Sequence, residues 1–158
     1  MQKKIRWVVK SDTKAMAEIE KKCYTDLWDK TWTEKDFIAC LSNRNKIGKV
    51  IEENGVVVGF IIYELKPLKF DIYNIAVLPE YQRQGYGTAL VQQIISKLKN
   101  GNRREIDVPV CETYLQAHLF FRNLGFKATA VKRNFFDDGK ESFDAYIFNY
   151  SINIEAMI

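Results

Sequence analysis

Apolar and polar positions along this chain switch repeatedly between a period near two and a period near 3.6, and each switch predicts an element. "KKIRWVV" alternates as a strand, and "SDTKAMAEIEKKC" follows with cap-type residues and with Ala15, Ile19 and Cys23 at helical spacing. Thr33 and Asp36 bracket a near capping box ahead of Phe37, Ile38 and Leu41, which predicts a second helix near 33–42. Between these helices "YTDLWDKTW" reads as an aromatic loop. Asn54-Gly55 between two β-branched runs signals a hairpin. A strand is expected from Phe70 to Val77, a helix over roughly 85–99 and a strand from about 103 to 110. "ETYLQAHLFFRNLGF" reads as a helix that Gly125 ends, and two final strands flank "DDG" at 137–139. The order β-α-α-β-β-β-α-β-α-β-β predicts a mixed α/β chain: a mixed sheet with helices on its faces.

Composition narrows what such a chain can do. Its 158 residues, 47% of them hydrophobic, suit one domain with its own core, taken as residues 1–158. Lys plus Arg exceed Asp plus Glu by only 24 to 20, without a long basic run, so nucleic acid is not an expected partner. Cys23, Cys40 and Cys111 show neither CxxC nor Cys/His metal spacing. That favours reduced thiols, no metal, and the cytoplasm. No apolar run approaches 18 residues and the start lacks a signal-type core, so no membrane partner is expected either.

The candidate chemistry lies in "NIAVLPEYQRQGYGTALVQQII", Asn74 to Ile95, where a strand runs into a doubly glycined turn at the start of a helix. A helix start bunches unpaired N–H groups at the positive end of the dipole, which suits an anion. No GxxxxGK[ST] phosphate loop occurs, and a GxGxxG dinucleotide fingerprint starting at Gly85 would place Leu90 where a small residue is needed. What fits is Q/R-x-x-G-x-G/A, as Gln82, Arg83, Gln84, Gly85, Tyr86 and Gly87 after a strand ending "AVLP". This resembles the coenzyme A pyrophosphate loop of the GNAT acetyltransferase superfamily. "LFFRNLGF", Leu119 to Phe126, is similar to that superfamily's LYExLGF-type segment. "KRNFFDDGKESFDAYIF" and "IEKKCYTDLWDKTWTEKDF" are similar to the tail and opening of the ribosomal-protein alanine N-acetyltransferases within it.

The resemblance implies an α+β fold with a central mixed, mostly antiparallel sheet of about seven strands and about four flanking helices. It also implies acetyl-CoA as co-substrate, held by the loop Gln82, Arg83, Gln84, Gly85, Tyr86, Gly87 and Thr88, by the strand backbone at Ile75, Ala76 and Val77, and by Tyr114 and Phe121. The acceptor would be a protein or peptide N-terminus, lying against Trp28, Trp32, Tyr73, Phe135 and Phe136. A small-molecule amine, or a catalytically silent acyl-CoA-binding role, stays open beside it. The enzyme is expected as a monomer or weak dimer.

Transfer to an amine asks for a proton acceptor and for oriented donors at the carbonyl. Period-two alternation places Asp71, Tyr73, Ile75 and Val77 on one face of their strand and Ile72, Asn74 and Ala76 on the other. Asp71 matches the position at which lysine-acetylating relatives carry a glutamate base, and Glu112 is the rival. Phe121 stands where the superfamily commonly has a tyrosine credited with protonating the departing thiolate, and Tyr114 replaces a usual asparagine. His118, the only histidine, and Cys111 read as structural neighbours of an apolar helix face and strand end.

Overall fold

The structure is a computed structural model that describes residues 3–24 and 31–152. Chain order is β1 (Lys3–Trp7), α1 (Thr13–Tyr24), α2 (Glu34–Leu41), β2 (Lys46–Glu53), β3 (Val56–Leu65), β4 (Lys69–Val77), α3 (Tyr86–Lys97), β5 (Glu105–Cys111), α4 (Leu115–Asn123), β6 (Lys127–Asp137) and β7 (Ser142–Ser151). The strands form one seven-stranded sheet in the order β1-β2-β3-β4-β5-β7-β6. Every pairing is antiparallel except β4 with β5.

Local chemistry explains the elements. Asn54 and Gly55 both take positive φ (52° and 85°), the twist that a two-residue hairpin between β2 and β3 requires. Thr33 caps α2: its Oγ1 accepts from the Asp36 N–H at 3.3 Å, and Asp36 Oδ2 accepts from the Thr33 N–H at 2.8 Å. Gly125, at φ 95°, ends α4, and the Phe126 N–H returns to the Phe121 carbonyl at 3.0 Å. The residues 112–114 form a turn rather than the first turn of α4, so Tyr114 is the residue that caps that helix.

Two cores sandwich the sheet. On one face α3 and α4 bury Leu90, Val91, Ile94 and Phe121 against Ile61, Ile72, Ile106 and Phe148. On the other, Met16 and Ile19 of α1 and Phe37 of α2 pack on Val50, Phe60 and Ile62. At about 1.5–3 kcal/mol for each fully buried large apolar side chain, both layers are held mainly by this burial.

Two irregularities at β4 shape the middle of the sheet. Ile62 pairs with Asn74 but Tyr63 pairs with Ile72, so Tyr73 is an extra residue on β4. This bulge resets the alternation and corrects the face assignment above. Phe70 and Ile72 share a core layer with Ile75 and Val77, while Ala76 packs in the opposite layer. The second irregularity is that β4 and β5 pair only through Lys69–Glu105, Phe70–Ile106 and Asp71–Asp107. Beyond these rows β4 continues with β3 as far as Val77, and β5 continues with β7 as far as Cys111. The two strands diverge and leave a notch in the middle of the sheet.

Candidate active site

The notch opens into a cavity of about 140 Å³ that passes between the two helix layers. From the first layer it is lined by Glu20, Tyr24 and Trp32, and from β4 by Ile72, Tyr73, Asn74 and Ile75. The β5 side supplies Val108, Pro109, Val110 and Cys111, the α4 side Tyr114, Ala117 and Phe121, and β6 supplies Phe136. The structure therefore brings together Tyr73, Ile75, Tyr114, Phe121, Trp32 and Phe136. Phe135 packs edge-on against Phe136 at 4.9 Å and is itself exposed. Trp28 lies outside the described residues.

On the edge of β4 that faces the notch, carbonyls receive side chains from the flanking elements. Tyr24 Oη donates to the Ile75 carbonyl. Cys23 Sγ (3.1 Å) and Gln82 Nε2 (2.8 Å) both donate to the Val77 carbonyl. Because a strand residue sends its N–H and C=O to the same edge, the N–H groups of Ile75 and Val77 also face the notch. Burial pushes the Cys23 thiol up to about 11 and raises the Tyr24 phenol well above its ordinary value, so both stay protonated donors at neutral pH. Tyr24 stacks on Tyr114 at 5.8 Å, which closes the floor. Burial likewise raises the Tyr114 phenol.

Beyond β4 the chain reaches α3 through the glycine turn, and two helix starts in this molecule differ in an informative way. The start of α2 is satisfied by its own capping box and carries Glu34 and Asp36 in its first turn. The start of α3 has neither a capping side chain nor an acidic residue in its first turn, and its cap is Gly85 at φ 91°. Arg83 also takes positive φ, 62°. Backbone turned twice into the left-handed region aims successive N–H groups at one point, the geometry of an anion nest. The first-turn N–H groups of Tyr86, Gly87 and Thr88 add to it. Lys3 Nζ braces the loop by donating to the Gln84 carbonyl at 2.7 Å. Gly87 has a further reason to be small: a Cβ there would lie 3.3 Å from the Phe120 ring, so it also lets α3 approach α4.

The expected bases fall elsewhere. Asp71 does not line the cavity; with Asp107 it flanks Lys69, whose Nζ lies 3.4 Å from Asp71 and 2.8 Å from Asp107. Glu112 is tied to β7, where its Oε1 accepts from the Asp144 N–H at 3.2 Å. His118 Nε2 donates to the Cys111 carbonyl at 3.0 Å and packs edge-on against Tyr146 and Phe148, fastening α4 to the end of β5. Among the described residues no cluster of three or more His, Cys, Asp or Glu could hold a metal ion.

A half-open parallel pair followed by an uncapped, glycine-led helix start fits a long anionic thioester: a strand edge for its amide arm and a nest for its pyrophosphate. The comparisons agree with that fit. The acetyltransferase (GNAT) family matches residues 13–126, and the chain belongs to this family. It is an acetyl-CoA-dependent acetyltransferase. The chain is 30% identical over 125 residues to the [ribosomal protein bS18]-alanine N-acetyltransferase of Escherichia coli K12, covering 78% of this chain and 82% of that one. It is 34% identical over 107 residues to an N-alpha-acetyltransferase of Sulfurisphaera tokodaii, covering 60% of this chain and 64% of that one. The crystal structure of the Escherichia coli ribosomal-protein-S18-alanine N-acetyltransferase superposes with a TM-score of 0.82 at 26% identity, over 96% of this chain and 95% of that chain.

Proposed function

We propose that the acceptor is the α-amine of a protein N-terminus, a ribosomal protein being the leading class. The observation that carries this reading is the size and lining of the cavity. At about 140 Å³ it is well below the roughly 300–1,000 Å³ typical of sites that enclose a small molecule. It suits one small residue at the end of a chain whose remainder stays outside. Trp32, Tyr73 and Phe136 supply flat walls for that residue. Support also comes from the activities named for the relatives in Escherichia coli and Sulfurisphaera tokodaii.

Acetyl-CoA supplies the activated carbonyl, held by the Gln82–Thr88 loop and the N–H groups of Ile75 and Val77. The chain's own part is to orient the amine and remove its proton. An α-amine has a pKa near 7.7–8.0 and a lysine near 10.4, so at neutral pH the lysine costs about 3 kcal/mol more to deprotonate. Peptides with a free, small N-terminal residue should therefore outcompete N-terminally blocked peptides containing lysine. Coenzyme A release with the two peptide sets decides it, and equal rates would overturn the reading.

A further inference from the structure

Glu20 is the only carboxylate among the described residues that line the cavity. It projects from α1 and is 3% exposed. Its Oε2 accepts from the Trp32 backbone N–H at 3.0 Å, and its Oε1 accepts from Asn74 Nδ2 at 2.9 Å. The Asn74 contact exists because the Tyr73 bulge turns Asn74 toward the α1 layer. A carboxylate offers about four acceptor sites, so two bonds fix its position and leave capacity for another donor.

We propose that Glu20 is the general base that takes the proton from the acceptor's ammonium group. This rests on the α-amine reading of the site. A carboxylate oxygen of Glu20 accepts one proton, giving a carboxylic acid and a neutral amine. The amine's lone pair then forms the N–C bond as the thioester C–S bond breaks, with that electron pair leaving on sulfur. The amine's second proton passes to that sulfur or to water. Glu20 returns its own proton to solvent before the next turnover.

The surroundings suit the task. Among the described residues, the titratable groups facing Glu20 are Cys23 and Tyr24 on α1, Asp36 on α2, Tyr73 on β4 and Tyr114 ahead of α4, and none of these is a cation. Burial raises the Glu20 carboxyl above the ordinary range, the two hydrogen bonds pull it back, and Asp36 adds to the rise. A base whose pKa is lifted toward the working pH transfers protons more effectively.

The test is the pH profile of kcat/KM with a free-N-terminus peptide. In the wild type the acidic limb belongs to Glu20. Glu20→Gln should lose about 10²-fold at pH 7, with its limb displaced to the amine's value near 7.7–8.0, while acetyl-CoA affinity measured by calorimetry is unchanged. Asn74→Ala removes a donor that favours the charged carboxylate, so its limb should move upward from the wild-type position. A merely structural role for Glu20 would lower rates without moving either limb, and unmoved limbs overturn the proposal. If Glu20→Gln fails to fold, the Asn74→Ala limb decides alone. Should blocked lysine peptides prove equally good substrates, the acceptor reading fails separately. Glu20 is then judged with those peptides, where the Glu20→Gln limb should move to about 10.4.

Discussion

At the closed end of the β4–β5 seam, Asp71 and Asp107 flank the ammonium of Lys69; in the open notch, Glu20 sits among tyrosines and N–H donors. The residues are chemically alike and their environments are opposite. The first pair is partly buried and shares one cation, so its charge is engaged in holding the strands together. The second is buried, with hydrogen bonds that fix it and, among the described residues, no counter-ion, so it remains able to accept a proton. In this sheet a carboxylate's use is set by whether a cation reaches it, more than by its distance along the strand from the glycine loop.

Perturbing the open end should have the larger consequences. Glu20→Gln stands first, at the loss of about 10²-fold described above. Tyr24→Phe comes next: it deletes the donor to the Ile75 carbonyl while keeping the stack on Tyr114. A net hydrogen bond of about 1 kcal/mol predicts a rise of roughly fivefold in the KM for acetyl-CoA, because the strand edge that holds it loosens. An unchanged KM in steady-state kinetics would show that this edge does not contact the co-substrate.

Effects at the closed end should fall on stability. Lys69→Met is expected to lower unfolding free energy at pH 7 by about 0.5–1 kcal/mol, with turnover preserved. Asp107, then Asp71, raise the Lys69 pKa in the folded state. Its contribution is therefore complete below the unfolded value near 10.4 and is lost as pH rises through the higher folded value. Urea titrations at pH 7 and in alkali should show the gap between wild type and variant closing. A gap that persists would mean that packing of the lysine stem, and not its charge, matters. Asp71→Asn should be the mildest, within about twofold in kcat/KM and with the acidic limb unmoved. A displaced limb would bring Asp71 back as the base and dissolve the contrast between the two ends.

The element order and the glycine loop were legible because both rest on local signals: hydrophobic period, Asn-Gly, a capping box and a Q-x-x-G-x-G turn. The Tyr73 bulge was not, since "DIYNIAV" holds no glycine or proline to mark it and the extra residue exists only relative to β3. That one residue reversed the expected faces of Ile75 and Asn74. Glu20 is hard to see in the sequence for a related reason. Helical spacing from Ala15 and Ile19 takes it for a polar neighbour, yet Met16, Glu20 and Tyr24 form an i, i+4, i+8 row. A carboxylate interrupting an otherwise apolar row was the available signal. The failure to place Asp71 and Glu112 in the cavity has a tertiary cause as well, because Lys69 and the Asp144 backbone hold them where the strands remain paired.

One of the two edge strands, β6, is built against a particular hazard. All its residues but Phe136 are exposed, and its pairing with β7 is interrupted between Ala128 and Ala130 and again between Lys132 and Phe136. Asn134 takes a positive φ of 53° inside the second interruption. An extended edge of this kind invites other chains to add strands to it, and lysines and bulges are the usual deterrents. Here Lys127, Lys132 and Arg133 line the same strand that is twice broken out of register. The edge that carries the cavity-lining Phe136 is thus guarded against self-assembly, and the cavity can stay open beside it without the strand seeding an aggregate.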